Sequence, residues 1–308
     1  MAGGALKNEG PWWGRNPVLA GVLGALAIAF SAILVRLSEA SPSTAAVFRC
    51  AYAVPILLAL AAWGTRRFGP RPARDRWIGV AAGVLFAADL VFWHHSIGNV
   101  GAGLATVLGN LQVVLVAFAA WAVLGERPGR KILVAVPVVF TGAVLISGAL
   151  EQGAYGENPA LGTVFGVLTT IAYTGFILVL RQVNRDVRRP AGPLLDATAV
   201  AAFVAALSGW VTGDVELIPS WPAHAWLGTL AITSQVIGWL LISVSLPRLP
   251  AALTSVLLLI QPVAAVGLAA VLLGERPSAL QLAGVVVVLA GVLVATVTLP
   301  GRAAIEPA

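Results

Sequence analysis

Ten apolar segments follow one another along the chain, separated by short connections that carry proline, glycine and charge. A helix that crosses the hydrocarbon layer of a bilayer needs about 20 mostly apolar residues, and each segment is close to that length. The segments are Val18–Val35, Ala45–Trp63, Ile78–Ser96, Ala102–Val123, Ile132–Ser147, Ala160–Leu180, Pro193–Val211, Trp226–Leu246, Ala251–Leu273 and Leu280–Leu299. Only 10% of the 308 residues are charged, against about 25% in soluble domains. The sequence therefore predicts an all-α integral membrane protein with ten transmembrane helices.

Basic residues are distributed unevenly between the two sides of such a protein. The side that holds the N-terminus collects 16 of the 19 Lys and Arg residues, the opposite side collects Arg36 and Arg276, and Arg49 falls within a span. Lys and Arg concentrate in cytoplasmic connections, so we expect a multi-pass protein of the cytoplasmic (inner) membrane with both termini cytoplasmic. The net charge of +6 then reflects topology. It does not indicate nucleic-acid binding, because the basic clusters lack interleaved aromatic residues.

The chain repeats itself at an offset of 149 residues. Leu124–Pro128 reads Leu-Gly-Glu-Arg-Pro, and Leu273–Pro277 has the same sequence. Further residues paired by this offset are Trp77 with Trp226, Leu104 with Leu253, Gln112 with Gln261 and Gly142 with Gly291. We therefore predict two five-helix repeats, at 17–149 and 158–299. Because five is an odd number, the second repeat is expected to be inverted, with the solute pathway in a central cavity at the interface between the two.

The paired Gly-Glu-Arg-Pro boxes carry a family resemblance. Together with Gln261-Pro262 and with Arg49 in the second span, they resemble the EamA-type exporters of the drug/metabolite transporter superfamily, over residues 17–299. The resemblance implies a transporter, with substrates that range over amino acids, sugars, nucleotide conjugates, vitamins and drugs. Since Gln112 is followed by valine where Gln261 is followed by proline, we expect a proline-dependent kink only in the second repeat. We interpret the boxes as structural connectors in which the glutamate interacts with the N-terminus of the next helix.

Two charged residues lie within predicted spans. A charge at the centre of a membrane helix costs about 2.5–3.5 kcal/mol on insertion scales, so Arg49 and Asp89 are candidates for function. Arg49 is expected either to bind an anionic group of the solute or to pair with Asp89 as a gate; a structural pair or a snorkelling arginine is the alternative. Asp89 corresponds to Gly238 in the second repeat. The shared architecture therefore does not require this charge, which favours a functional role in solute binding or proton coupling.

Polar and aromatic residues in several spans complete the predicted solute site, since mixed side chains inside a bundle suit organic solutes. The predicted substrate-binding residues are Arg49, Tyr52, Asp89, Trp93, Asn110, Tyr173, Gln235, Trp239 and Gln261. Ordinary hydrogen bonding between membrane helices is the alternative for the uncharged ones. Counting 100° per residue, Gln112 lies far from the face of Thr106 and need not share the cavity.

His94 and His95 are adjacent in the third span. They point about 100° apart and lack the i, i+4 spacing of paired metal ligands, so we expect no metal and no cofactor. His94 is a candidate for proton coupling, like Asp89; alternatively, one or both histidines are hydrated polar residues at the membrane interface. The single cysteine, Cys50, excludes a disulfide within the chain.

These features predict a secondary transporter that exports small organic metabolites, either amino-acid-like solutes or drugs, by alternating access. An importer or facilitator of another small metabolite is the alternative. A membrane-embedded enzyme is a remote one, because the sequence offers no convergent nucleophile, acid or base, and a channel or scaffold would not need inverted symmetry. The expected partners are a small-molecule solute and membrane lipid, and no nucleic acid. The Gly79-x-x-x-Gly83 and Gly162-x-x-x-Gly166 motifs suit packing within a monomer or in a homodimer.

Overall fold

The structure, a computed structural model, describes residues 16–124, 129–183, 188–245, 249 and 251–296. Within these ranges the regular secondary structure is entirely helical. The α-helices are α1 (Pro17–Ser38), α2 (Pro42–Phe68), α3 (Ala73–Val100), α4 (Ala102–Gly109), α5 (Gln112–Leu124), α6 (Arg130–Ile146), α7 (Pro159–Val183), α8 (Ala191–Thr212), α9 (Trp221–Leu230), α10 (Trp239–Ser245), α11 (Ala251–Leu272) and α12 (Ala279–Thr296). A π-helical segment, Ala231–Gly238, joins α9 to α10.

The helices group into ten spans, with α4 and α5 forming the fourth span and α9, the π-helical segment and α10 forming the eighth. In the described part of the chain, six stretches are long and apolar enough to cross a membrane by length and composition: 17–38, 42–68, 73–100, 159–180, 191–212 and 221–245. Shorter apolar helical stretches are 102–116, 259–272 and 279–295. At 27 and 28 residues, α2 and α3 extend well beyond their predicted apolar segments. The charged extensions suit helix ends, because Arg66 and Arg67 lie in the last turn of α2 and Asp75 lies in the first turn of α3.

The fourth span, in the first repeat, is interrupted in the middle of the bundle; the proline-dependent kink expected in the second repeat stays a prediction. α11 continues through Pro262, whereas the fourth span breaks between α4 and α5. At the break the backbone N–H of Asn110 bonds to the Val107 carbonyl, a tighter turn than in an α-helix. The Asn110 amide also donates to the Thr106 carbonyl at 2.8 Å. Side chains that bond to nearby backbone in this way compete with the helical ladder.

The spans pack through glycines at several close approaches. A Cβ atom on Gly83 would lie 2.5 Å from Val200 Cβ, and one on Gly142 would lie 2.6 Å from Val288 Cγ2. α3 thereby packs on α8, and α6 packs on α12, as small residues permit in membrane bundles. We call the end of the bundle at which α1 begins the proximal end and the opposite end the distal end. Ser245 Oγ donates to the Pro17 carbonyl at the proximal end, and Asn158 N–H donates to the Asn99 carbonyl at the distal end.

Candidate functional site

A cavity of about 350 Å³, the central cavity, lies among the spans. This volume is in the range of small-molecule sites in proteins. Arg49 and Trp93 line it in the distal halves of α2 and α3, and Ile177 and Ile242 line it in the proximal halves of their spans. The cavity therefore spans the middle of the bundle and is lined from both the distal and the proximal halves of the spans.

The central cavity brings together seven of the nine predicted substrate-binding residues. These are Arg49, Asp89, Trp93, Asn110, Tyr173, Trp239 and Gln261. They come from six different spans, so no local sequence pattern could have shown that they converge. The other two, Tyr52 and Gln235, are not among the lining residues.

Among the described side chains that line the central cavity, Arg49 is the only cation. The residue is 3% exposed, and its Nε atom has no hydrogen-bond partner among the described residues. The guanidinium carbon lies 5.8 Å from the centroid of the Trp93 ring. That separation allows a cation–π attraction, which orients the arginine without neutralising it.

Asp89 faces the same cavity from α3 and is 6% exposed. The predicted gate pair is absent: the ion pairs found within 4.0 Å among the described residues join Arg71 to Asp196 and His95 to Asp214. α7 contacts the backbone of Asp89 and not its carboxylate: Thr169 Oγ1 donates a hydrogen bond to the Asp89 carbonyl at 3.3 Å. Two opposite charges therefore line one buried cavity without contacting each other.

Aromatic rings form one wall of the central cavity. Phe86 stacks on Phe176 with centroids 4.5 Å apart, and Trp239 meets both rings edge-on at 6.0 and 5.6 Å. Tyr173 continues the group, with its centroid 6.2 Å from that of Trp239. Stacked and edge-to-face rings hold one another in fixed orientations. The wall is thus a rigid apolar surface beside the two charges.

Uncharged polar residues line the opposite side, on α4, α5 and α11. Gln112 lies in the central cavity together with Thr106, so the expectation that these two need not share it is wrong. The break at residues 110–111 interrupts the helix between them, so an angle calculated at 100° per residue does not apply across it. Gln112 and its counterpart in the repeat, Gln261, consequently face the same cavity.

Tyr52 and Gln235 bond to other helices. The Tyr52 hydroxyl is paired with Nδ1 of His224 at the start of α9. Gln235 is fully buried and donates from Nε2 to Thr198 Oγ1 at 3.0 Å. Gln235 lies in the π-helical segment, which has more residues per turn than an α-helix. Gln235 and Trp239, four residues apart, therefore do not share one face as they would in an α-helix.

His94 is 2% exposed and lines a recess at the distal end together with Pro42 and Glu275. Its Nδ1 lies 3.0 Å from the Pro42 carbonyl, and Nε2 has no partner among the described residues. His95 is half-buried, with Nε2 4.0 Å from Asp214 Oδ2. In the described part of the chain, no three His, Cys, Asp or Glu side chains are grouped closely enough to hold a metal ion.

At the distal end, hydrogen bonds join the two repeats. The buried Glu275 carboxylate accepts hydrogen bonds from the N–H groups of Ala102 at 2.7 Å and Gly103 at 3.2 Å. Glu275 thus caps α4, from the other repeat, and not the next helix as expected; Glu126 lies outside the described residues. Burial raises the pKa of Glu275, and the two N–H donors oppose that shift. Gly101 has φ +95°, and a Cβ there would lie 2.8 Å from the Tyr155 ring.

Comparison with known proteins agrees with this architecture. The sequence model of the EamA-like transporter family matches residues 15–148 and again residues 160–297. The chain belongs to the EamA-like transporter family. The predicted resemblance is therefore confirmed, and the chain is a multi-pass membrane transporter built from two copies of the EamA unit.

A solved structure described only as "Crystal structure of protein" shares the fold of this EamA-like chain. Its TM-score is 0.61, over 92% of this chain and 97% of that one, at 16% sequence identity. No curated protein matches the sequence. At this identity the likeness concerns the fold and does not indicate the solute.

Proposed function

We propose that this transporter exports small organic solutes of amino-acid type by alternating access, and that the central cavity is its solute site. One observation carries the proposal: Arg49 and Asp89 are both buried and line the same cavity, yet they do not pair.

The charges favour a zwitterionic solute. A buried charge without a partner is costly, and a direct Arg–Asp pair would remove part of that cost at once. A solute that carries both a carboxylate and an ammonium group supplies a partner for each side chain. The carboxylate would receive the planar donors of Arg49, and the ammonium group would bond to Asp89.

The shape of the cavity favours a solute with an apolar body. Phe86, Tyr173 and Trp239 form a rigid wall beside Asp89, and Asn110 and Gln261 face it with hydrogen-bonding groups. Small-molecule sites are typically apolar with a few oriented polar groups. Amphiphilic amino-acid-like compounds combine these features.

The two ends of the bundle favour alternating access with the proximal end in the cytoplasm. Arg66 and Arg67 lie at the proximal end of α2, and cytoplasmic connections are rich in Arg and Lys. Glu275 joins the repeats at the distal end through Ala102 and Gly103, and a cavity that loads from the proximal end would take its solute from the cytoplasm. Inverted repeats that rock about a shared cavity would open the distal end next. A proton that competes with the solute ammonium for Asp89 would couple export to a proton gradient.

The test is transport in proteoliposomes with a panel of radiolabelled amino acids and amphiphilic amines. We expect saturable, ATP-independent flux of at least one zwitterion, reduced about 100-fold in kcat/KM by Arg49→Ala, because truncating one buried charged partner costs about 2–5 kcal/mol. Arg130→Ala removes an exposed positive charge outside the cavity and serves as the matched control. Flux that never saturates would point to a channel, and normal flux in the Arg49 variant would refute the proposed site.

A further inference from the structure

A second, smaller cavity lies at the proximal end, away from the solute site. Its volume is about 220 Å³, and Arg71, Arg74 and Arg189 line it together with Asp75. It lies where the connection between α2 and α3 meets the end of α7 and the start of α8. We call it the arginine cavity. None of these residues lines the central cavity, so the transport proposal gives them no role.

Arg71 is held at the arginine cavity but is only partly bonded. Its Nη2 donates to Asp196 Oδ2 at 2.7 Å, and its Nη1 is buried without a hydrogen-bond partner among the described residues. Gly192 makes room for it, because a Cβ there would lie 2.6 Å from Arg71 Nε. An arginine normally uses its parallel donors together on one oxyanion. A buried Nη1 without a partner therefore indicates that a further acceptor belongs at this position.

The charge balance around the cavity is positive. Arg189 donates to the carbonyls of Phe68 and Gly69. Asp196 pairs with Arg71, and Asp75 is the acidic residue among the described lining residues. Three arginines against one aspartate in the lining favour an anion in a recess that is largely polar.

Two helix N-termini add to that potential. α3 begins at Ala73 and α8 begins at Ala191, and neither N-cap residue accepts a side-chain hydrogen bond. Arg74 in the first turn of α3 and Pro193 in the first turn of α8 both line the cavity. Helix N-termini carry a partial positive charge and free N–H groups, and they favour phosphate and other oxyanions.

We propose that the arginine cavity binds a phosphate group, carried by the headgroup of an anionic phospholipid or by a free phosphate. The position favours the lipid. Trp77, which is 74% exposed, follows Arg74 on α3, and Trp63 is exposed near the end of α2. Exposed tryptophans mark the headgroup level of a membrane protein, and basic recesses between helices on the cytoplasmic side suit lipid phosphates. A bound phosphate would link the α2–α3 connection to the start of α8.

The test uses the full-length protein in dodecyl maltoside with two probes, palmitoyl-oleoyl-phosphatidylglycerol and sodium phosphate. Palmitoyl-oleoyl-phosphatidylcholine is the reference lipid. Arg74→Gln removes a cavity arginine, and Arg76→Gln is the matched control, because Arg76 is an equally exposed arginine on the same helix that does not line the cavity. Binding is measured by native mass spectrometry of lipid adducts and by the shift in Tm.

We expect phosphatidylglycerol to raise the Tm of the wild type and of Arg76→Gln by several degrees more than phosphatidylcholine does, with about tenfold weaker binding in Arg74→Gln. Arg71→Lys keeps a charge for Asp196 but lacks Nη1, and it should weaken binding similarly. A Tm increase with millimolar phosphate alone, lost in Arg74→Gln, would support the site with a free anion as its ligand. Equal binding to Arg74→Gln and Arg76→Gln, or no preference for phosphatidylglycerol or phosphate, would overturn the proposal. Transport by Arg74→Gln in phosphatidylcholine vesicles should be unchanged, which separates this site from the solute site.

Discussion

The two repeats use corresponding positions for different purposes. In the first repeat, position 89 is an aspartate that faces the central cavity. In the second, the corresponding Gly238 lies in the π-helical segment against α1, where a Cβ would be 2.8 Å from Ile28 Cγ1 and where the carbonyl of Gly238 is close to Gly24. Corresponding positions in two repeats of one fold can therefore differ in role: Asp89 brings a charge to the cavity, whereas Gly238 allows two helices to pack closely.

Moving the charge to the other repeat should produce the largest effect. Gly238→Asp places a side chain where only hydrogen fits and buries a charge without a partner. We expect a loss of at least about 3 kcal/mol in stability, from overpacking and from the cost of a buried charge. The yield of monodisperse protein on size exclusion and its Tm in detergent would check this. The milder Gly238→Ala isolates the packing contribution, and a stable Gly238→Asp protein would contradict the packing role.

The reverse change in the first repeat should affect transport and not folding. Asp89→Asn keeps the size of the side chain and removes its charge, so we expect an unchanged Tm with about 100-fold lower kcat/KM for a zwitterionic solute. If Asp89 exchanges a proton for the solute ammonium, the variant should also lose the dependence of transport on an imposed pH gradient. Glu157→Gln is the matched control, since Glu157 is an exposed carboxylate in the connection after α6. Wild-type transport by Asp89→Asn would remove the distinction between the repeats.

Substitutions of Glu275 test a contact that joins the two repeats. Glu275→Ala leaves the N–H groups of Ala102 and Gly103 buried without their acceptor, and we expect a loss of about 2 kcal/mol. Glu275→Gln retains one acceptor oxygen and should cost less. Tm measurements on both variants would show the order. Equal stability of all three proteins would mean that the cap does not stabilise the contact between the repeats.

The pH dependence of stability gives a second measurement at the same residue. Burial raises the pKa of Glu275 above 4.5, the ordinary value for a glutamate side chain. A carboxyl group with a raised pKa in the folded state stabilises the fold below its unfolded pKa and loses that contribution as pH rises through the folded value. The Tm of the wild type should therefore fall relative to that of Glu275→Gln as pH increases from about 4. A constant difference between the two proteins over this range would contradict the raised pKa.

Much of the fold follows from hydropathy and from the repeat, and much of the site does not. The apolar lengths identified the spans, and the 149-residue offset indicated two units that the family match then bore out. Polarity at membrane depth identified Arg49 and Asp89 as unusual, because charge in a span is costly whatever its neighbours are.

Counting along a regular helix failed where the helices are not regular. The break after Asn110 brought Gln112 into the cavity, and the π-helical segment separated Gln235 from the face of Trp239. Gly109-Asn110 at the break and Gly238 at the end of the π-helical segment are weak signals within strongly apolar spans. The absence of an Arg49–Asp89 contact depends on the spacing between two helices, which no single-helix pattern contains.

Gln112 and Gln261 offer the finest test of the comparison, because here the repeats agree. Both line the central cavity from corresponding positions, so an inverted symmetry of function predicts similar roles. We expect Gln112→Ala and Gln261→Ala each to raise KM about fivefold with little change in kcat, since a neutral hydrogen bond contributes about 1 kcal/mol. Solute titrations in proteoliposomes would measure this, with Thr141→Ala, an exposed polar residue on α6, as the control. If both glutamines contact one solute molecule in the same conformation, KM of the double variant should rise by less than the product of the two single increases. If each glutamine contacts the solute in a different conformation of the cycle, the two increases should multiply.

A large increase in KM at one position and none at the other would show that the two repeats differ in function at this pair of positions as well, as they do at Asp89 and Gly238.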